Sequence, residues 1–147
     1  MPKPRNNETE SEYMKRCMLD HEMISKYDTE QRVAVCKSFY TTEMANEKIS
    51  FDYDGTFSTA KGFDMAVNFI SKGIDVYIIS ARDSKDEMLP RANKAKILFS
   101  KIYATGSNEA KIAKVKELGI TTHYDNNPDV VNALEGIGKL IWDITLQ

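Results

Sequence analysis

The run Asp75-Val76-Tyr77-Ile78-Ile79 constrains the fold more than any other stretch of the chain. It is rich in β-branched residues, carries no charge after Asp75, and is too short for a core helix. A strand of that kind has no solvent face, so both sides of its sheet must be covered. Strand-like runs recur around it: Ile49-Ser50-Phe51, Lys101-Ile102-Tyr103-Ala104, Thr121-Thr122-His123-Tyr124 and Leu140–Ile144. Helical segments separate them. One lies near Lys61–Lys72, with Phe63, Ala66, Val67 and Ile70 on one face and Gly73 closing it. Another falls within Lys85–Phe99, where Pro90 forces a late start or a kink. Asn108–Leu118 and Asp129–Leu134 complete the set. Strands alternating with helices predict an α/β fold over 48–147: a three-layer, Rossmann-like, parallel five-stranded sheet.

The first 47 residues differ. Residues 1–8 are polar and expected to fray. A helix is predicted from Glu10 to Tyr27, with Met14, Cys17, Met18, His21 and Ile24 on one face. Asp28, with Gln31 three residues on, forms a capping-box pattern. It opens a second helix from Thr29 to the mid-40s that buries Val33, Cys36 and Tyr40. Residues 1–47 thus read as an N-terminal helical hairpin. So few residues make a poor core, and the hairpin is expected to lean on the rest of the chain or on a partner.

Composition narrows the class of protein. With 41% hydrophobic and 29% charged residues in 147, a disordered chain is excluded. No apolar run approaches the roughly 20 residues that span a bilayer, and the N-terminus lacks the apolar segment of a secretory signal. The 20 basic and 22 acidic residues argue against a broadly basic nucleic-acid coat. Arg91, Lys94, Lys96 and Lys101 cluster as a solvated helix face. Cys17 and Cys36 are no disulfide framework, so buried free thiols and a cytoplasmic setting are expected. Together with His21 they lack the fourth ligand and the spacing of a metal site.

Ligands of open α/β sheets bind beyond the carboxyl ends of the strands. After the first predicted strand comes Asp52-Tyr53-Asp54-Gly55-Thr56, and after the second Ser80-Ala81-Arg82. A turn leading to Lys111 follows the third, and Asp125-Asn126-Asn127-Pro128-Asp129 follows the fourth. Acidic side chains, a hydroxyl and an amine on one sheet edge suit a divalent cation and a phosphoryl group. A calcium loop of the EF-hand type is rejected: counting from Asp52, the twelfth position is Phe63, where a bidentate Glu is required. Arg82 has two equal readings, a fork for phosphate or a partner for Asp83 or Asp86. His123 reads as a satisfied strand histidine rather than a catalytic one.

In this order and at these strand ends, the residues resemble the haloacid dehalogenase (HAD) superfamily. Asp52-Tyr53-Asp54-Gly55-Thr56 matches its first motif, Ser80 its second, Lys111 (with Lys114 as runner-up) its third, and Asp125 with Asp129 its fourth. The resemblance covers 100 of the 147 residues. It implies a Mg2+-dependent phosphatase in which Asp52 is the nucleophile and Asp54 the acid and base. Mg2+ would be held by Asp52, the Asp54 carbonyl and Asp125. Gly55, Thr56, Ser80 and Lys111 would bind phosphate, with Asn126, Asp129 and Arg82 in support. Asn126 departs from the family, which often carries a second acid there. The chain leaves no room for a cap domain, so the site is expected to be open to nucleotides, nucleic-acid ends or phosphoproteins. The stretch from Glu12 to Cys36 is similar to a short helical module of bacteriophage head-associated proteins. That likeness implies a phage origin, a host-cytoplasm or virion location, and a docking role for residues 10–46 toward a phage head component.

Overall fold

The computed structural model describes residues 1–5 and 8–143. The chain divides into two compact units, one built from residues 1–46 and one from residue 47 onward.

The first unit holds α1 (Glu10–Met18), α2 (His21–Lys26) and α3 (Thr29–Asn46). The single helix expected over 10–27 is broken. Asp20 takes extended backbone and its carboxylate accepts from the Glu22 and Met23 amides at 3.0 and 3.2 Å, capping α2. The break rotates the buried set to Tyr13, Cys17 and Met23 and leaves Ile24 exposed. The expected capping box at Asp28 forms, with reciprocal bonds of 2.8 and 3.1 Å to Gln31. Cys36 and Tyr40 are buried as expected, but Val33 is exposed. Described residues of the tail expected to fray make specific bonds instead. Tyr13 Oη donates to Pro2 O at 2.9 Å, and Arg16 grips the Glu8 carboxylate and Lys3 O. The Arg16 bond holds the Glu8 carboxyl below its usual range.

The cysteines are not free thiols. Cys17 and Cys36 form a disulfide that joins α1 to α3. This overturns the expectation of free thiols and removes the argument for a reducing compartment. Among the described residues, no helix is long and apolar enough to cross a membrane. A unit of this size needs a staple, since its buried apolar set among the described residues is Tyr13, Cys17, Met23, Cys36, Tyr40 and Met44. A cross-link spanning 19 residues is worth about 3 kcal/mol. Reduction of the intact protein is therefore expected to release amide-exchange protection in residues 10–46 while leaving the second unit protected.

The second unit is α/β. Its strands β1 (Lys48–Phe51), β2 (Asp75–Ser80), β3 (Ile102–Ala104), β4 (Thr122–Asp125) and β5 (Gly138–Leu140) lie in the order β3-β2-β1-β4-β5, all parallel. Helices α4 (Ala60–Ser71), α5 (Leu89–Lys94), α6 (Asn108–Glu117) and α7 (Pro128–Ala133) connect them. The architecture is Rossmann-like. Phe51, paired with Ile78 and Tyr124, anchors one face, where its ring meets Tyr124 at 5.2 Å and Phe69 of α4 at 6.2 Å. On the other face Ile79 packs with Val115 of α6 and with Val130 and Leu134.

Three details differ from expectation. Helix α4 buries Gly62, Met65, Ala66 and Phe69 rather than a stripe through Val67. A Cβ at Gly62 would lie 1.9 Å from Thr56 O, so the helix docks through its glycine. The last strand begins earlier than Leu140 and gives way to a 3-10 turn at Ile141–Asp143; Ile144 lies outside the described residues. At Gly138 a Cβ would come 2.8 Å from Val131 Cα, a closeness to α7 that only glycine permits. The basic cluster is not simply solvated: Lys101 Nζ bonds Asp75 Oδ1 at 3.0 Å, and Arg91 reaches inward to main-chain carbonyls. Pro90 sits in the first turn of α5, after a 3-10 turn at Asp86–Met88, as a late start requires.

Candidate active site

Strand order reverses about β1, with β2 on one side and β4 on the other, so a crevice opens at the carboxyl ends of β1 and β4. Asp52 stands at the first end, its N–H donating to Tyr124 O at 2.9 Å. Asp125 ends β4. Between them comes Lys111 of α6, whose Nζ lies 3.0 Å from Asp52 Oδ1 and 2.9 Å from Asp125 Oδ2. All three groups are buried. Two carboxylates thus share one ammonium. Burial, reinforced by the Asp125 charge, pushes Asp52 up to about 6 despite Lys111. Asp125 goes the other way: burial would raise it, but the His123 hydrogen bond and Lys111 outweigh burial and hold it low.

His123 precedes Asp125 by two residues, so the strand's period places both on one face. Its Nε2 lies 2.9 Å from Asp125 Oδ2 and its Nδ1 2.7 Å from Ser50 Oγ. Burial depresses the imidazole's pKa, which favours the neutral ring: Nε2–H donates to Asp125, and Nδ1 accepts from the Ser50 hydroxyl. The histidine is satisfied, as expected. Its partnership with Ser50 was not foreseen, although the period-2 spacing of His123 and Asp125 was there to be seen. Asp125 Oδ1 accepts the Asn127 N–H at 3.0 Å. Both oxygens of this expected metal ligand are therefore engaged by the protein.

After Asp52 the chain makes a tight turn over Tyr53–Phe57, with Gly55 at φ 74°. Phe57 N–H closes it onto Asp52 O at 2.9 Å. The Gly55 amide, expected to face a phosphoryl group, donates to Ser58 Oγ at 3.0 Å. Thr56 is fully buried with an unpartnered hydroxyl, so the phosphate contact expected of it is not prepared. Arg91 braces the turn from α5, donating to Phe57 O at 2.8 Å and Thr59 O at 2.9 Å. Arg91→Ala is expected to cost about 2 kcal/mol of stability in chemical denaturation, because both bonds come from a charged donor.

Asp54 is more exposed. Arg82 grips it bidentately, with Nη2 at 2.7 Å and Nε at 2.8 Å, and binds Glu87 through Nη1. The guanidinium lies 5.3 Å from the Tyr53 ring centroid. The Arg82 hydrogen bonds hold the Asp54 carboxyl below its usual range. Arg82 therefore pairs with neither Asp83 nor Asp86, its expected acidic partners. Ser80, at the end of β2, is buried and accepts the Arg82 N–H at 3.0 Å. Lys114 pairs with Glu117 at 2.5 Å, so Lys111 is the lysine at the carboxylates. Asp129 is exposed in the first turn of α7.

Asn126 extends over Gly55, where a Cβ would lie 2.1 Å from its amide. One terminal atom of that amide is 3.2 Å from both Asp52 Oδ2 and Asp54 O; as nitrogen it donates to both. Among the described residues, no group of three or more His, Cys, Asp or Glu side chains is arranged to hold a metal. The donor set nonetheless fits a hard cation. Asp52 Oδ2 and Asp54 O converge on one point, and Mg2+ commonly takes one or two carboxylates and keeps several waters.

No family model matches the chain, and comparison with curated proteins and with solved structures found no match either.

Proposed function

We propose that the chain is a Mg2+-dependent phosphomonoester hydrolase of the HAD type, working through an aspartyl-phosphate on Asp52. The observation that carries this is the buried Lys111 ammonium bridging Asp52 and Asp125 at the switch point of the sheet. Lys111 takes Asp52 Oδ1, while Asp52 Oδ2 and the Asp54 carbonyl share the Asn126 amide as a neighbour at 3.2 Å. The Asp52 carboxylate attacks phosphorus through one oxygen, leaving the other to the cation; the bond from phosphorus to the ester oxygen breaks, and the departing oxygen takes a proton from Asp54. Water then attacks the aspartyl-phosphate, gives its proton to Asp54, and inorganic phosphate leaves. Arg82 must loosen its hold for Asp54 to carry a proton, and an arriving phosphoryl group offers the guanidinium a competing bidentate partner. Lys111 and the Ser80 region balance and position phosphoryl oxygens. Mg2+, held by Asp52 and the Asp54 carbonyl with Asp125 behind Lys111, would neutralise charge on the transferring group.

The short connections after β1 and β2 support an open site for a nucleotide, a nucleic-acid end or a phosphoprotein. Phosphate release from an aryl phosphate and a panel of these substrates, with and without Mg2+, tests the proposal. A protein inert on all of them would overturn it. A second reading, a virion-associated protein with a docking arm, is favoured by the separate compactness of residues 1–46. Loss of particle association on deleting that unit, with activity retained, would support it.

A further inference from the structure

We propose that the β3 edge of the sheet is a stacking platform for single-stranded nucleic acid, leading the terminal phosphate of such a strand to Asp52. The delivery to Asp52 rests on the phosphatase reading above; the platform itself does not.

Rings and cations alternate along this edge. Lys85 Nζ lies 4.0 Å from the Phe99 ring centroid and 5.8 Å from that of Tyr103. Lys114 Nζ lies 5.2 Å from the Tyr103 centroid. Phe99 is 61% exposed, a large apolar ring left to solvent. Tyr103 is half-buried and packs against the cluster that holds Ile79 and Val115, which fixes it in place. A nucleic-acid strand carries the complementary alternation, a flat base and a phosphate at every step. Bases stack on aromatic rings whatever their sequence, and ammonium groups meet the phosphates. Two rings offer two stacking positions, so the surface suits a strand rather than a mononucleotide.

The charges point the same way. Lys114 is shared with Glu117, and Arg82 is taken by Asp54 and Glu87. Among the described residues Lys85 pairs with no carboxylate, and its cationic head is left to the two rings. It is the cation open to a phosphate. A phosphopeptide would bring one phosphate and no regular succession of flat rings.

Strand register links the platform to the site. Phe51 pairs with Ile78, so Asp52 is level with Ile79, and Ile79 pairs with Tyr103. Two strand spacings, about 10 Å, therefore separate the Asp52 and Tyr103 backbones. Thr105 N–H donates to Ser80 O at 2.8 Å and Gly106 N–H to Arg82 O at 3.1 Å, tying the end of β3 to the loop after β2. That one loop holds Asp54 through Arg82 and reaches the platform through Lys85.

The test is fluorescence anisotropy of the full-length protein with a labelled oligothymidylate of about eight nucleotides, a usual single-strand site size. Phe99→Ala is expected to weaken binding roughly fivefold or more. Lys85→Gln should weaken it and reduce the slope of log affinity against log salt by about 0.7, the loss of one phosphate contact. Trp142→Ala removes another exposed ring, beyond β5 at the opposite edge, and should keep wild-type affinity. The platform is overturned by a wild type that does not bind, by wild-type affinity in Phe99→Ala, or by an unchanged salt slope in Lys85→Gln. A duplex or phosphopeptide that competes as well as the single strand would overturn it too. Phosphate release by the wild type is scored separately, on an aryl phosphate and on a terminally phosphorylated oligonucleotide. The binding shifts without release from either would discard the phosphatase reading and keep the platform; release from the aryl phosphate without the shifts would do the reverse.

Discussion

Asp52→Asn is expected to abolish phosphate release and, without divalent cation, to make the second unit more stable at pH 7. The activity half follows from chemistry. The amide is isosteric but cannot attack phosphorus, so turnover should fall roughly 10³-fold or more. The stability half follows from linkage. Burial and the Asp125 charge push Asp52 up to about 6, whereas an unfolded aspartate titrates near 3.9. Between those values the folded chain holds a proton that the unfolded chain has lost. That contribution is fully present below about pH 4 and is lost as pH rises through about 6. Asparagine has no such titration. The variant's advantage should therefore be largest at pH 7 and shrink toward pH 4. Denaturation midpoints at pH 4 to 7 in EDTA measure it. An inactive variant that is also less stable at pH 7 would contradict the charge crowding described for this pair.

Lys111→Met carries the largest expected loss of stability. Met approximates the lysine stem but not its ammonium, and the Lys111 side chain is only 3% exposed between Asp52 at 8% and Asp125 at 0%. Removing one partner from a buried ion pair costs about 3–5 kcal/mol, because the charges left behind lose their compensation. Asp125 keeps His123 and the Asn127 amide; Asp52 keeps less, and should recover by taking a proton. Adding Asp52→Asn to Lys111→Met should therefore restore about 2 kcal/mol of the loss, more than Asp52→Asn gains alone, and a double-mutant cycle reads the difference as the coupling. If Lys111→Met costs under about 1 kcal/mol, the shared ammonium is not what balances the crevice.

Much of the second unit was legible because its signals are local. The uninterrupted β2 run required a covered strand, and the acids at strand ends followed from the sheet's polarity. Lys111 could be preferred to Lys114 from motif order, and the geometry places it between the carboxylates while Lys114 turns to Glu117. What escaped depends on contacts distant in sequence. Gly62 and Gly138 direct helix packing through the absence of a side chain, which a hydrophobic pattern passes over. Thr56 matches the resembled motif by its position, yet its hydroxyl is buried without a partner. In the first unit, two cysteines 19 residues apart carry no pairing rule, and their Cα atoms come within 6.1 Å only once α1 and α3 pack. The same packing hid the helix break, since Asp20 reads as an ordinary surface acid until it caps α2.

Arg91 never touches Asp52 or Asp54, yet it clasps the carbonyls of Phe57 and Thr59 from 34 and 32 positions away in the chain. The turn that presents both acids is thus moored from a separate helix. In a random-mutagenesis selection for loss of the proposed phosphatase activity, Arg91 should score beside the strand-end carboxylates. A map drawn from such hits alone would enlarge the apparent active site toward α5, counting the mooring as part of the machinery.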